Sequence, residues 1–370
     1  MSQKLRILLA VHTVADWGGL QDWTVGMVRG LVQNDAEVVL VSNNARVVSE
    51  CADVTSLVFL IDWSRWEEEV GDIVDAARCD VVFSQPFKSR EFSLEFRRRT
   101  GVPIVYMAHG NNSDYAYAWE GQVAKFLVAS ESLRPMLRDF CGVDDARIDV
   151  LPNGAPDWIF DRAPATYDER WSRGTFDFVL AARLMPDKIS QVEGMIHIVS
   201  ELLAHDVIPH ARVHVLGGGP SKGEFLGRLT NFAEESGRVE VVSHGWVSQG
   251  EVVDVLRTAV FSVAGGVTGA QSVALGTPCL GAGIRGVCGV TTPANIDRVL
   301  GSNFGDHSAR YNMTRAQIAR DARWILQEQN FAEFQRAYTS VMRTTRTHAA
   351  IATLALAQIE DAIRLGKGQM

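Results

Sequence analysis

The sequence predicts two doubly wound α/β domains followed by a helical tail. Three observations carry this prediction. Short, nearly continuous apolar runs alternate with amphipathic stretches of helix length, the alternation pauses once and restarts, and it stops before a strand-free C-terminal segment. Apolar runs without polar alternation belong to strands buried on both faces, as in parallel sheets covered by their crossover helices. A chain of 370 residues has room for two such domains at roughly 150 residues each, and each can bury its own core.

The strands of the first half are "LRILLAV" (5–11), "EVVLVS" (37–42), "DVVFS" (80–84), "PIVYMA" (103–108) and "KFLVAS" (125–130), with helices at 20–33, 64–78, 89–99 and 132–140. Periodicity is weak over 152–175, which is rich in Pro, Asp and Arg and is expected to connect a first domain, 1–151, to a second, 176–345. The second domain's strands are "FDFVLAA" (176–182), "RVHVLGG" (212–218), "VEVVS" (239–243), "VFSVA" (260–264) and "PCLGAG" (278–283), with helices near 191–205, 221–236 and 250–258. From 314 onward the pattern is helical throughout.

A net charge of -8 argues against nucleic acid as the main partner, because duplex binding needs a concentrated basic face. Cys51, Cys79, Cys141, Cys279 and Cys288 are odd in number and scattered, with no C-x-x-C pair, so a reduced, cytoplasmic setting is expected rather than a disulfide framework or zinc site. The N-terminal apolar run is too short for a signal peptide, and no run approaches the ~18 apolar residues of a membrane helix. Weak peripheral contact with the inner membrane surface is one reading of 88–101, where Arg90, Arg97, Arg98 and Arg99 interleave with Phe92, Leu94 and Phe96. A solvated helix end with dipole-complementing cations is the other.

Ligands of open α/β sheets bind beyond the carboxyl ends of strands. After the first strand, Gly18 and Gly19 stand where a helix begins, either as a tight turn or as an anion cradle; the pattern is not G-x-G-x-x-G. His109 follows the fourth strand as a structural imidazole or a ligand. Arg183 and Lys188, five positions apart in "ARLMPDK", form a pair of cations suited to a diphosphate if they converge. Gly218 in "LGGGP" and Gly245 before Trp246 allow close backbone approach to a flat ring. Residues 264–278, "AGGVTGAQSVALGTP", begin with Gly265-Gly266 at a strand-to-helix junction, a second place for a phosphate cradle or a plain turn.

In their order along the chain, Gly18-Gly19, His109-Gly110, "VLPNGAPD" (150–157), "ARLMPDK" (182–188), "VHVLGGGP" (213–220), "SHGWV" (243–247) and "VALGTP" (273–278) resemble the retaining glycosyltransferases of family 4. The resemblance implies the GT-B fold: two Rossmann-like domains facing across a cleft, with a C-terminal helix, 346–370, crossing back to the first. It implies a nucleotide-sugar donor in the second domain, an unidentified acceptor in the first, and neither cofactor nor metal. Arg183 and Lys188 would bind the donor diphosphate, with Gly18 and Gly19 near it, and His109 would hydrogen-bond the transferred sugar. Gly245, Trp246 and Val247 would lie beside the base, with Gly218, Gly265, Gly266, Gln271 and Ser272 completing the donor site.

One departure stands out. The family's Glu-x7-Glu pair falls on Val263 and Gln271. Gln271 keeps an acceptor oxygen without the charge, and Val263 keeps nothing polar. Two further readings follow: a GT-B protein that binds without catalysing, or a sugar-nucleotide epimerase, although the latter's "GTRPE"-like first loop is not matched by "HTVADWGG". Trp17, Trp23, Tyr115, Tyr117 and Trp119 are either acceptor-stacking rings or core residues.

Overall fold

The computed structural model describes residues 4–15, 17–172, 174–307 and 313–367, and the chain divides into one unit of Met1–Asn153 with His348–Met370 and another of Gly154–Thr347. In the first unit, β1 (Arg6–Val11), α1 (Gly19–Gln33), β2 (Glu37–Ser42), α2 (Ala45–Cys51), β3 (Leu57–Leu60), α3 (Trp66–Ala77), β4 (Val81–Ser84), α4 (Lys88–Thr100), β5 (Ile104–Ala108), β6 (Lys125–Val128) and β7 (Ile148–Val150) follow in sequence. The sheet order is β3-β2-β1-β4-β5-β6-β7. All pairs are parallel, Leu8 lying between Val39 and Val82. The chain reverses its direction of growth between β1 and β4, so the crevice beyond their carboxyl ends is the place where such sheets receive ligands.

The second unit contains α5 (Tyr167–Trp171), β8 (Phe176–Ala181), α6 (Ile189–Ala204), β9 (Ala211–Leu216), α7 (Lys222–Ser236), β10 (Val239–Gly245), α8 (Gln249–Thr258), β11 (Phe261–Ala264) and α9 (Gly266–Ala274). It continues with β12 (Cys279–Gly283), β13 (Gly286–Val290), α10 (Ile296–Gly301), α11 (Arg315–Ile325) and α12 (Glu328–Thr345). Its order is β10-β9-β8-β11-β12-β13, parallel except for the β12–β13 hairpin. Here the reversal lies between β8 and β11, which places the loop 182–188 and the junction 264–266 at the carboxyl ends of neighbouring central strands.

The segment 152–175, expected as a connection, has ordered structure from 154 to 172 within the second unit. Ala155 and Ile159 are fully buried, and the Ala155 N–H donates to the Arg346 carbonyl at 2.8 Å. The last helix, α13 (His348–Lys367), packs on α1 within the first unit. Gly26 and Gly30 make this approach: a Cβ would stand 2.1 Å from His348 Nδ1 at the first and 2.4 Å from Ala352 Cβ at the second.

The expected helix at 132–140 is instead a 3-10 turn, Glu131–Leu133, and a π-helical turn, Met136–Phe140. Pro135 between them supplies no backbone N–H, which breaks regular helix pairing. Among the described residues no helix is long and apolar enough to cross a membrane. On α4, Phe92 and Phe96 are fully buried and Leu94 packs on the same core. Its cations are occupied: Arg98 and Arg99 pair with Glu95 at 2.6 and 2.7 Å, and Arg90 pairs with Asp114 at 2.9 Å. The arrangement is that of a solvated helix end.

Candidate functional site

At the reversal point of the second unit, Arg183 is exposed and has no side-chain partner among the described residues. Lys188, in contrast, is only 9% exposed, and its ammonium meets Asp306 Oδ1 at 2.5 Å. The same oxygen accepts the Ile284 N–H at 3.1 Å. Gly265 caps α9, and Gly266 begins it at φ 58. The Asp306 carboxylate fills the space that side chains there would take: a Cβ would lie 2.9 Å from Oδ1 at Gly265 and 2.5 Å from Oδ2 at Gly266. A cation, a helix amino end and a Cβ-free backbone therefore converge on one anion position. The anion there is the protein's own.

The neighbouring strand ends build a flat wall. The Leu184 N–H donates to the Gly218 carbonyl at 2.9 Å, and the Gly217 N–H to that of Gly245 at 2.7 Å. This close passage excludes side chains, since a Cβ at Gly217 would stand 2.0 Å from the Ala182 carbonyl oxygen. Trp246 is 67% exposed, and its ring lies over Gly218, where a Cβ would be 2.7 Å from Nε1. Val247 is partly buried beneath it in the unit's core. Lys222, at the start of α7, reaches to 4.0 Å from a Cβ built on Gly245. Sequence reasoning missed Lys222; its position one residue into a helix that follows "LGGGPS" was the available signal.

The positions aligned with the missing carboxylates separate. Val263 is fully buried in β11, paired with Leu280 and facing α6 beside Gly194. A carboxylate at 263 would enter the core, so the alignment with an acidic ligand fails there. Gln271 is 5% exposed on α9 and its amide has no hydrogen-bond partner among the described residues. Ser272, expected among donor contacts, is fully buried; its hydroxyl sits 2.6 Å from Ser262 Oγ and donates to the Thr277 carbonyl at 3.1 Å. Its bonds hold the fold and leave nothing for a ligand.

In the first unit, Gly18 caps α1 in extended backbone, φ 167, and Gly19 opens the helix. His109, beyond β5, engages Gln85 Oε1 through Nε2 and sits edge-on to Trp23 with centroids 4.6 Å apart. Gln85 Nε2 and Trp23 Nε1 beside it, and His12 Nδ1 beyond β1, are buried and lack partners among the described residues. Burial, reinforced by Lys88, lowers the His12 pKa and favours the neutral ring. Unsatisfied polar atoms at strand ends mark a place for a polar ligand or ordered water. Gln85 and His12 were not singled out by sequence because no motif surrounds them.

Of the aromatic candidates, Trp23 and Trp119 are core residues at 5% and 6% exposure. Tyr115 and Tyr117 are exposed and meet edge-on at 6.3 Å, while Trp17 carries Arg46 over its ring at 3.9 Å. All five cysteines are buried and unpaired. Among the described residues, no three His, Cys, Asp or Glu side chains form a group that could hold a metal ion.

Residues 17–157 match Glycosyltransferase Family 4. No curated protein matches the chain. A glycosyltransferase from Rickettsia africae superposes at TM-score 0.72 with 12% identity, covering 98% of this chain and 99% of that one. Anabaena HepE in complex with UDP-glucose gives TM-score 0.68 and 11% identity over 96% and 100% of the two chains. A candidate UDP-N-acetylglucosamine 2-epimerase from Listeria monocytogenes gives 0.59 and 11% over 97% and 96%. Identities this low establish the shared fold, which is GT-B.

Proposed function

With residues 17–157 a Glycosyltransferase Family 4 region and the whole chain in the GT-B fold, we propose that this protein transfers a sugar from a nucleotide-sugar donor to an acceptor hydroxyl with retention of configuration. The supporting observation is the convergence of Lys188 with the Gly265-Gly266 end of α9 at the β8/β11 reversal, with Arg183 exposed earlier in the same loop. The donor's diphosphate takes that anion position. Trp246 and the glycine wall at Gly218 and Gly245 receive the base, and Gln271 accepts from a ribose hydroxyl. The first unit holds the acceptor, with Tyr115 and Tyr117 as its exposed rings.

In the transfer, the bond between the sugar's anomeric carbon and the diphosphate breaks, and its electron pair goes to the phosphate oxygen. The acceptor oxygen bonds to the same face of that carbon, and its proton passes to the leaving phosphate. Charge thus accumulates on the diphosphate while the sugar becomes oxocarbenium-like. Once the diphosphate is seated, the cations Arg183 and Lys188 stabilise that change, and no divalent ion is required. His109, fixed by Gln85 and Trp23, is the first unit's group for a sugar hydroxyl.

Thermal shift against a panel of nucleotide sugars tests the reading, because a true donor stabilises the fold by mass action. The expected result is stabilisation by one donor class, followed by anomerically retained product in the presence of EDTA. If no nucleotide sugar raises the melting temperature, the proposal falls. The buried Val263 and uncharged Gln271 favour one competing reading, binding without transfer. Product analysis separates the two, and epimerised donor formed without acceptor would instead assign the epimerase activity.

A further inference from the structure

We propose that Asp306 is an internal stand-in for the donor's phosphate, and that a bound diphosphate displaces it from Lys188. The inference rests on the reading of Lys188 as a phosphate ligand. A phosphate at a helix amino end asks for an ammonium, backbone N–H groups and backbone free of Cβ. Asp306 has all three: Lys188 Nζ at 2.5 Å, the Ile284 N–H at 3.1 Å, and the bare surface of Gly265 and Gly266.

The occupant is held by a backbone that L-residues rarely adopt. Asn303, Phe304 and Gly305 are consecutive left-handed residues with φ of 49, 55 and 84. Packing enforces them. The Phe304 ring is 1% exposed and wedged on α9, where a Cβ at Gly269 would lie 2.5 Å from it. The Asn303 carbonyl accepts the Gly266 N–H at 3.1 Å, so the turn also covers one donor of the cradle. Strained backbone fixed in this way concentrates at ligand clamps and switch regions.

Carboxylate and diphosphate cannot share the position. Lys188 is nearly buried, so solvent screens the repulsion between two anions only weakly. The donor therefore binds the fraction of molecules in which Asp306 has left, and its apparent affinity is lowered by that fraction. The turn sets a threshold on donor binding.

Calorimetric titration of inorganic pyrophosphate and of UDP into the full-length protein, Asp306→Asn, Asp306→Ala and Lys188→Met tests this. Removing the carboxylate is expected to tighten both ligands by about tenfold; unchanged or weaker binding overturns the proposal. If Lys188→Met weakens binding while neither Asp306 variant strengthens it, the inference alone falls. If Lys188→Met binds both ligands as the unmodified protein does, the phosphate reading of the site falls and the inference with it. Amide exchange in the unmodified protein is an independent check that needs no variant. Saturating UDP is expected to speed exchange over 303–307, and slower or unchanged exchange there contradicts displacement.

Discussion

At the carboxyl end of α9, Arg170 is 1% exposed and donates to the carbonyls of Ala165, Ala259, Leu275 and Gly276 and to the Thr277 hydroxyl. At the amino end, Lys188 and Asp306 meet in one ion pair against two glycines. Both ends are built from small residues of the same stretch, 264–278. The first end is a network in which one buried guanidinium serves five acceptors, two of which, the carbonyls of Ala165 and Gly276, also accept from Gln335. The second is an ion pair whose anion, on the reading proposed above, a ligand replaces. Small-residue runs therefore mark close backbone approach, and the side chains brought to them decide whether that approach serves the fold or a ligand.

Substitutions at the two ends separate these roles. Arg170→Leu has the largest expected effect, because the Ala259 and Leu275 carbonyls lose the guanidinium and the Thr277 hydroxyl loses its charged donor; a loss of roughly 3–5 kcal/mol in denaturant-derived stability is predicted. Retained stability would mean that the network is dispensable. Lys188→Met acts mainly on the ligand, with a smaller loss of stability from the Asp306 carboxylate left unpaired and donor affinity reduced roughly 10–100-fold in titration, as for loss of a charged hydrogen bond. Gln271→Glu restores a charged acceptor and is expected to tighten donor binding about fivefold, or about 1 kcal/mol. Equal affinities would remove the ribose role. Ser272→Ala, one position on, is expected to lower stability by at most about 1 kcal/mol with donor affinity unaltered. A change in affinity there would place Ser272 at the ligand after all.

The parallel strands were legible because burial on both faces leaves continuous apolar runs such as Ile7–Val11, each fully buried. Three strands were not: β7 and β13 are broken by Asp149 and by Gly286 and Gly289, and β3, though apolar, is only partly buried and was passed over. Lys188 and the Gly265-Gly266 junction were readable from spacing relative to strand ends. Asp306 was not, since it reaches the site from 118 residues away in sequence, through a left-handed turn that no local pattern announces. Position 263 shows the reverse failure: motif spacing set the family's first Glu there, whereas strand register turns Val263 into the core. Ser272 was misread for the same reason, as helix position alone does not tell which face its hydroxyl takes.

The most direct measurement is a crystal structure of the protein with the nucleoside diphosphate that stabilises it most. The account predicts the diphosphate on Lys188 and the amino end of α9, with Arg183 turned toward it and the Asp306 carboxylate withdrawn. A diphosphate bound elsewhere, with the Lys188–Asp306 pair intact, would contradict it.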